Sequence, residues 1–323
     1  MTGGEPTLLE AGGTNSIGRM LGLLGDEWTL LMARHAVMGV TRYGQFRQAL
    51  PISNSVLTTR LGRMVEHGLL ERHVYRTNPL RAEYLPTVRT LTLWPLMLAI
   101  WEWERTWTGD AGEAALPKRR HETCGREFSP VLTCGACSAP VASRDVRNAW
   151  GPSGGWERSA PEASTRRRPD GVAVSGLYPQ TMEVFGNRWS SALMGAALRG
   201  GLVRFGEFEA ALGAPPTLVA ERLRTFCSLG VLESRQHARH PGRPEYHLTA
   251  KGRAFFPVSA MSLQWGEKWF VSPEGPAITQ THAACGAAFV GRLACDQCDR
   301  RLTGRDITIV PVIEDRTSPE GTA

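Results

Sequence analysis

What most constrains this chain is that its first half is written again in its second. Gly25-Asp26-Glu27-Trp28 returns as Gly186-Asn187-Arg188-Trp189, with Trp28 and Trp189 161 residues apart. Arg42-Tyr43-Gly44-Gln45-Phe46 returns as Arg204-Phe205-Gly206-Glu207-Phe208, and Arg60-Leu61 as Arg222-Leu223, both 162 residues on. Glu83-Tyr84 matches Glu245-Tyr246, Pro95 matches Pro257, and Trp103 and Trp107 match Trp265 and Trp269. A repeat of this length is a domain duplication and not a solenoid, because its unit can fold alone. The 323 residues are enough for two ordinary domains, each with a core of its own.

Within the unit, the stretch Ser53 to Gly68 predicts a helix with two unlike faces. Ser53 suits an N-cap, because its hydroxyl accepts from a first-turn amide that otherwise lacks a partner. Leu57, Leu61 and Met64 recur at helical spacing and form one buried stripe. Gly68 ends the helix, since it enters the left-handed region cheaply. The opposite face carries Ser55, Thr59 and Arg63, with Asn54 at the tip and Arg60 on the flank. Hydroxyls, an amide and guanidinium groups in the first turns are what base edges and phosphates require, so this reads as a recognition helix. Trp28 to Val37 and Tyr43 to Leu50 predict two helices before it. Leu69 to Tyr75, the turn Arg76 to Arg81 and the return Glu83 to Leu85 predict a hairpin after it. The expected fold is mainly α with small β-wings (α+β): two winged helix-turn-helix domains, whose wings also touch phosphate. A small helical core with a solvated hairpin satisfies the same pattern.

Gly25-Asp26-Glu27-Trp28, Arg42 to Phe46, Val56 to Leu61, Gly68 to Arg72 and Glu83-Tyr84 resemble the HxlR-type branch of the MarR-like bacterial regulators. The resemblance spans each winged-helix unit. It implies dimeric, duplex-binding repressors or activators paired through terminal helices, and it brings no catalytic residues, so no enzyme is expected. Phosphate contacts are expected from Arg60, Arg63, Arg76 and Arg81, and in the second copy from Arg222, Arg224, Arg239 and Arg243, with Thr217 a further expected DNA contact. The second copy departs from the first: Glu221 stands at the position of Thr59, Thr225 at that of Arg63, and Pro215-Pro216 at that of Ser53-Asn54. A groove-facing carboxylate repels phosphate, so the copies should read different half-sites, or the second should supply mainly backbone contacts. Two other readings stay open. One is a sensor that releases DNA on binding a small molecule among Trp94, Trp101 and Trp265, or on oxidation; the other is a protein-binding winged helix.

After each wing comes a helix apolar on two sides, carrying Trp94, Trp101, Trp103 and Trp107 in the first copy and Trp265 and Trp269 in the second. Two apolar faces need two partners. One is the helix's own body and the other the matching helix, which predicts a pseudo-dimer within one chain; a homodimer is the alternative. Beyond these helices stand His121-x-x-Cys124 and Cys134-x-x-Cys137, then His282-x-x-Cys285 and Cys295-x-x-Cys298. Such knuckles let thiolates and imidazole converge on Zn²⁺. Each copy is expected to close one structural zinc with its own three cysteines and histidine, in a zinc-ribbon-like module; a free-thiol switch is the rival. Cys227 reads as a small hydrophobe.

The expected division is 1–110 and 173–272 for the winged-helix units with their pairing helices, 111–149 and 273–312 for the zinc modules, 150–172 for a flexible basic linker, and 313–323 for a disordered tail. The net charge of +6 suits a polyanionic partner, a double-stranded DNA operator. Met1-Thr-Gly-Gly-Glu-Pro has no signal-peptide character and no apolar run spans a bilayer, so a cytoplasmic protein with reduced or metal-bound cysteines is expected.

Overall fold

The computed structural model describes residues 4–78, 80–108, 116–160, 178–237 and 240–310. The first copy opens with strand β1 (Thr7–Leu8) and helix α1 (Ser16–Leu24). Its α1 was not expected, although Asn15 caps it by accepting from Gly18 N and Met20, Leu21, Leu23 and Leu24 are buried on it. Then come α2 (Glu27–Val37), α3 (Tyr43–Ala49) and α4 (Asn54–Glu66). Asp26 caps α2 and Ser53 caps α4, and the buried residues of α4 are the predicted Leu57, Leu61 and Met64. The wing is an antiparallel pair, β2 (Leu70–Thr77) and β3 (Leu80–Pro86), followed by α5 (Val88–Leu91) and the long α6 (Trp94–Thr108).

A tail of β4 (Arg119–His121), β5 (Arg126–Glu127), β6 (Pro130–Cys134) and β7 (Val146–Trp150) follows, then a one-turn helix α7 (Trp156–Ser159). In the second copy, α8 (Pro179–Phe185), α9 (Arg188–Arg199), α10 (Phe205–Leu212) and α11 (Pro216–Ser228) repeat the helices. The wing β8 (Leu232–His237) and β9 (His240–Leu248), the turn α12 (Ala250–Arg253) and the long α13 (Phe256–Trp269) complete the repeat. β10 (Phe270–Val271) pairs with β1 in parallel, and the second tail supplies β11 (Ile278–His282), β12 (Gly291–Cys295) and β13 (Ile307–Ile309).

The two copies pack on one another, α13 lying against both α1 and α6. The tryptophans do much of the joining. Trp103 donates through Nε1 to Lys251 O (3.1 Å) and sits edge-on to Phe255. Trp265 donates to Arg89 O and Trp269 to Thr92 Oγ1, each at 2.9 Å. Glu104, buried on α6, accepts from the amides of Gln180 and Thr181 and so caps α8 of the other copy. The repeated glycine explains itself here. A Cβ on Gly25 would lie 2.6 Å from Arg188 Cα, and one on Gly186 2.9 Å from Glu27 Cβ. Across this close approach Asp26 and Asn187 form a backbone bridge, and Glu27 N donates to Gly186 O at 2.9 Å.

Two expectations need correction. The tails are not two separate modules: β4 pairs with β13, β7 with β11 and β6 with β12, so every one of these ladders joins one copy to the other. The start of the expected flexible linker is also ordered. Ser153 and Ser159 are buried, and Asn15 Nδ2 donates to Ser153 O and Ser159 Oγ. The remainder of that linker, with Arg166-Arg167-Arg168, and the tail 313–323 lie outside the described residues.

Candidate nucleic-acid interface and metal centres

On α4 the helix turns Ser53, Asn54, Ser55 and Thr59 to solvent, opposite its buried stripe. Thr59 Oγ1 donates to Ser55 O (2.9 Å) in its own helix, which leaves its lone pairs and methyl outward. Val56 and Thr58 are exposed on the same end. Tyr43 steadies that end by donating to Asn54 O at 3.1 Å. On the wing Arg76 and Arg81 are exposed, with Arg76 Nε donating to Asn78 O. Arg47 on α3 and Arg72 on β2, which no motif singles out, are exposed cations of the same winged-helix unit. Tyr75 on the wing is likewise exposed, its ring 5.5 Å from the Arg42 guanidinium.

Arg60 is placed differently from expectation. Its Nη2 lies 2.7 Å from Asp26 Oδ2, and the two side chains are only 15% and 14% exposed. Arg60 therefore ties α4 to the N-cap of α2 instead of projecting from the flank. Arg63 is half-buried and lines a cleft with Asp26, Glu66, His67 and Arg188 of the other copy. It points along the junction between copies more than toward an outward groove.

In the second copy Thr217, Arg224 and Arg243 are exposed, while Glu221 and Thr225 are half-buried. Arg222 is turned in like Arg60, its side chain 19% exposed and 3.5 Å from Glu221. No aspartate stands opposite it, because the position of Asp26 is Asn187. Arg239 lies outside the described residues. Cys227 is half-buried and burial pushes its thiol up, in keeping with a packing role. The pairing-helix residues Trp101, Trp103, Trp265 and Trp269 are buried, Trp94 is half-buried, and Trp107 is 37% exposed. Trp107 matches Trp269, but the residue matching Thr92 is Ala254, with no hydroxyl to receive the indole. Trp101 and Trp265 are buried core residues, and the cleft that Trp101 borders, with Arg105, Arg119 and Phe128, is lined by neither Trp94 nor Trp265.

The eight metal-type ligands form two clusters, partnered otherwise than expected. His121 and Cys124 meet Cys295 and Cys298; Cys134 and Cys137 meet His282 and Cys285. Each cluster takes one knuckle from each copy. All four knuckles are the same turn: Gly125 N donates to His121 O, Ser138 N to Cys134 O, Gly286 N to His282 O and Asp299 N to Cys295 O. The residue closing each turn has φ between 56° and 70°. β6, extended between the two knuckles of the first tail at about 3.3 Å per residue, holds them apart, and its ladder to β12 brings in the other copy's knuckles instead.

The clusters fit zinc. Bonds of about 2.3 Å to sulfur and 2.0 Å to nitrogen give tetrahedral edges of about 3.8 Å for S···S and 3.5 Å for S···N. Here Cys124 and Cys295 Sγ are 3.9 Å apart, as are Cys134 and Cys285 Sγ. His121 Nδ1 lies 3.5 Å from Cys124 Sγ and 3.4 Å from Cys298 Sγ. His282 Nδ1 lies 3.4 Å from Cys137 Sγ and 3.2 Å from Cys285 Sγ. Three thiolates and one imidazole fill the four positions, leaving none for a substrate. Burial pushes the Cys295 thiol up to about 11, and a bound cation would reverse that by taking the thiolate.

Two winged helix-turn-helix units in one chain, each with a polar face on its third helix, define a helix-turn-helix protein. The chain belongs to the HxlR-like helix-turn-helix family, which matches residues 23–111 and again 184–274. It is similar to a protein of Mycobacterium tuberculosis (strain CDC 1551 / Oshkosh), MT3179, named as an HTH-type transcriptional regulator. The two are 34% identical over 132 residues, which is 41% of this chain and 83% of the relative. A protein of Synechocystis, sll1512, also named as such a regulator, is 34% identical over 30% of this chain and 73% of its own. Among solved structures, a candidate transcription factor of Pseudomonas aeruginosa, PA1374, is 31% identical, with a TM-score of 0.28 over 38% of this chain and 82% of that one. No helix of the described residues is long and apolar enough to cross a membrane.

Proposed function

We propose that the chain is a sequence-specific double-stranded DNA-binding transcriptional regulator that works as an intrachain pseudo-dimer and represses by occupying a promoter. The observation that carries this reading is the exposed end of α4: Ser53, Asn54, Ser55 and Thr59 stand at a helix N-terminus beside a basic wing. Base edges in the major groove accept and donate to such groups, and Arg76, Arg81, Arg47 and Arg72 are placed to meet phosphates. The second copy supplies Thr217, Arg224 and Arg243 but no polar tip like Ser53-Asn54, so its contacts are mainly to backbone and the operator is asymmetric. The winged-helix units are assigned to 1–110 and 173–272, and the protein acts in the cytoplasm.

In this reading the two clusters hold structural Zn²⁺ and bind the tails of the copies to each other. Zinc supplies cohesion here, since chelation by one copy's knuckle is complete only with the other's. An electrophoretic mobility shift against the protein's own promoter region tests the function. A discrete shifted band resistant to competitor DNA is expected; binding equal to that of random duplex would overturn it.

A further inference from the structure

Behind the recognition helices the two copies differ in a way that the duplication makes measurable. A cavity of about 70 Å³, open to solvent on one side, lies between α1 of the first copy and α9, α10 and α13 of the second. Ile17, Ala192, Gly195, Ser262 and Leu263 are in its wall. One repeat away, the matching residues are Tyr178, Leu31, Arg34, Ile100 and Trp101. There the space is filled: Tyr178, Leu31, Ile100 and Trp101 are buried, and the Arg34 guanidinium lies 5.8 Å from the Tyr178 ring. Every one of the five is larger than its counterpart. A close-packed interior does not leave such room by default, and the other half of this same chain shows how the fold closes it.

The wall is mostly apolar, and at one side it carries Arg199, where the first copy has Met38. Its guanidinium lies 4.5 Å from the ring centroid of Trp150 and 5.4 Å from that of Trp156. The buried Arg199 Nε meets no hydrogen-bond acceptor among the described residues. A cation held against indole faces is attracted by the rings and keeps its charge. Trp150 ends β7 and Trp156 begins α7, and the two serve as one side of this cavity. The architecture is that of a small-molecule site, a mostly apolar enclosure with a few polar groups, here Ser159, Ser191, Ser259 and Ser262 and the single cation Arg199.

We propose that this cavity is a ligand site belonging to the second half alone, and that it takes a small monocarboxylate with an apolar body of one ring or a short chain. The body lies among Met20, Ile17 and Leu212, and the carboxylate accepts from the Arg199 guanidinium. α10 gives Ala211 and Leu212 to the wall and leads directly into α11, so occupancy bears on the second recognition helix. That regulatory consequence rests on the DNA-binding reading; the site itself does not.

The test titrates the zinc-loaded full chain with benzoate and hexanoate, and with benzyl alcohol as the uncharged control, by calorimetry and thermal midpoint. Saturable binding of at least one acid is expected, at least tenfold tighter than the alcohol. Ser262→Ile, which rebuilds the filled wall, should weaken it at least tenfold; Ala192→Leu does the same should the first variant not fold. Arg199→Met should erase the preference for acid over alcohol. Absence of saturable binding by both acids, or unchanged binding in the filled variants, would overturn the site. A mobility shift with and without the bound acid is read separately, so that loss of the DNA reading leaves the site standing, and the reverse.

Discussion

The indole of Trp103 donates to the backbone carbonyl of Lys251, across the junction between the two copies. One repeat later, Trp265 donates to the carbonyl of Arg89, the residue matching Lys251. One contact is thus made twice, in opposite directions, as a twofold pairing requires. Trp103→Phe keeps the ring and drops the hydrogen bond, so it should destabilise by about 1 kcal/mol. Trp103→Ala should cost about 3–5 kcal/mol, because it also empties a core position against Phe255. Urea midpoints with an unchanged slope check both; an exposed indole would give near-zero losses for each.

Zinc content distinguishes the crossed partnering from the expected one. Cys124→Ser with Cys295→Ser breaks one cluster and should leave about one zinc per chain. Cys124→Ser with Cys134→Ser breaks one ligand in each cluster and should leave near zero, by elemental analysis of protein purified without chelator. Under within-copy sites the two outcomes would be exchanged.

The clusters should also differ in lability. Cys137 and Cys285 are exposed, whereas the cluster of His121 has only half-buried or buried thiols. Chelator or peroxide should therefore release zinc in two phases, the faster one abolished by Cys137→Ser. A single phase carrying both metals would speak against this order.

Arg60 and Arg76 should separate stability from DNA affinity. Arg60→Ala leaves Asp26 without its partner at a largely buried pair and should cost about 2 kcal/mol of stability. Arg76→Ala, on the exposed wing, should change stability by less than about 0.5 kcal/mol. It should lower the slope of log affinity against log salt by about one. Equal effects of both on both readouts would refute the assignment.

Acid should weaken the fold through two histidines. Burial lowers the pKa of His35, with Arg34 adding to it; burial lowers that of His67, with Arg63, Arg19 and Arg89 adding and Glu66 opposing. Both take up a proton more readily unfolded, so their contribution is intact above the unfolded value of about 6.5 and is lost as pH falls through the folded value. Thermal midpoints from pH 8 to pH 5.5 should fall less steeply for His35→Gln with His67→Gln than for the natural chain. Parallel curves would exclude these two as the source.

Legibility in the sequence followed the range of the interactions. The cap at Ser53, the stripe Leu57-Leu61-Met64 and the hairpin of the wing are local, and their periods and turn residues announce them. α1 escaped because Gly18, Gly22 and Gly25 break its apolar pattern, two of them for close approach: a Cβ on Gly18 would meet Thr14, and one on Gly25 would meet Arg188. Arg60 reads as a flank cation until Asp26, distant in sequence, is seen beside it. The cysteine knuckles show that thiols and imidazole converge, but spacing is blind to which knuckle meets which; only the ladder of β6 with β12 decides that. The cavity could have been found by aligning the halves, since five large residues face five smaller ones, but only the fold shows that the five share one wall.

Stoichiometry on DNA tests the central claim most directly. Light scattering of the zinc-loaded chain, alone and bound to a duplex carrying its operator, should give one folded chain per duplex, with a footprint over two successive, unequal major-groove contacts. Two chains per duplex with a symmetric footprint, each using one copy, would contradict the account.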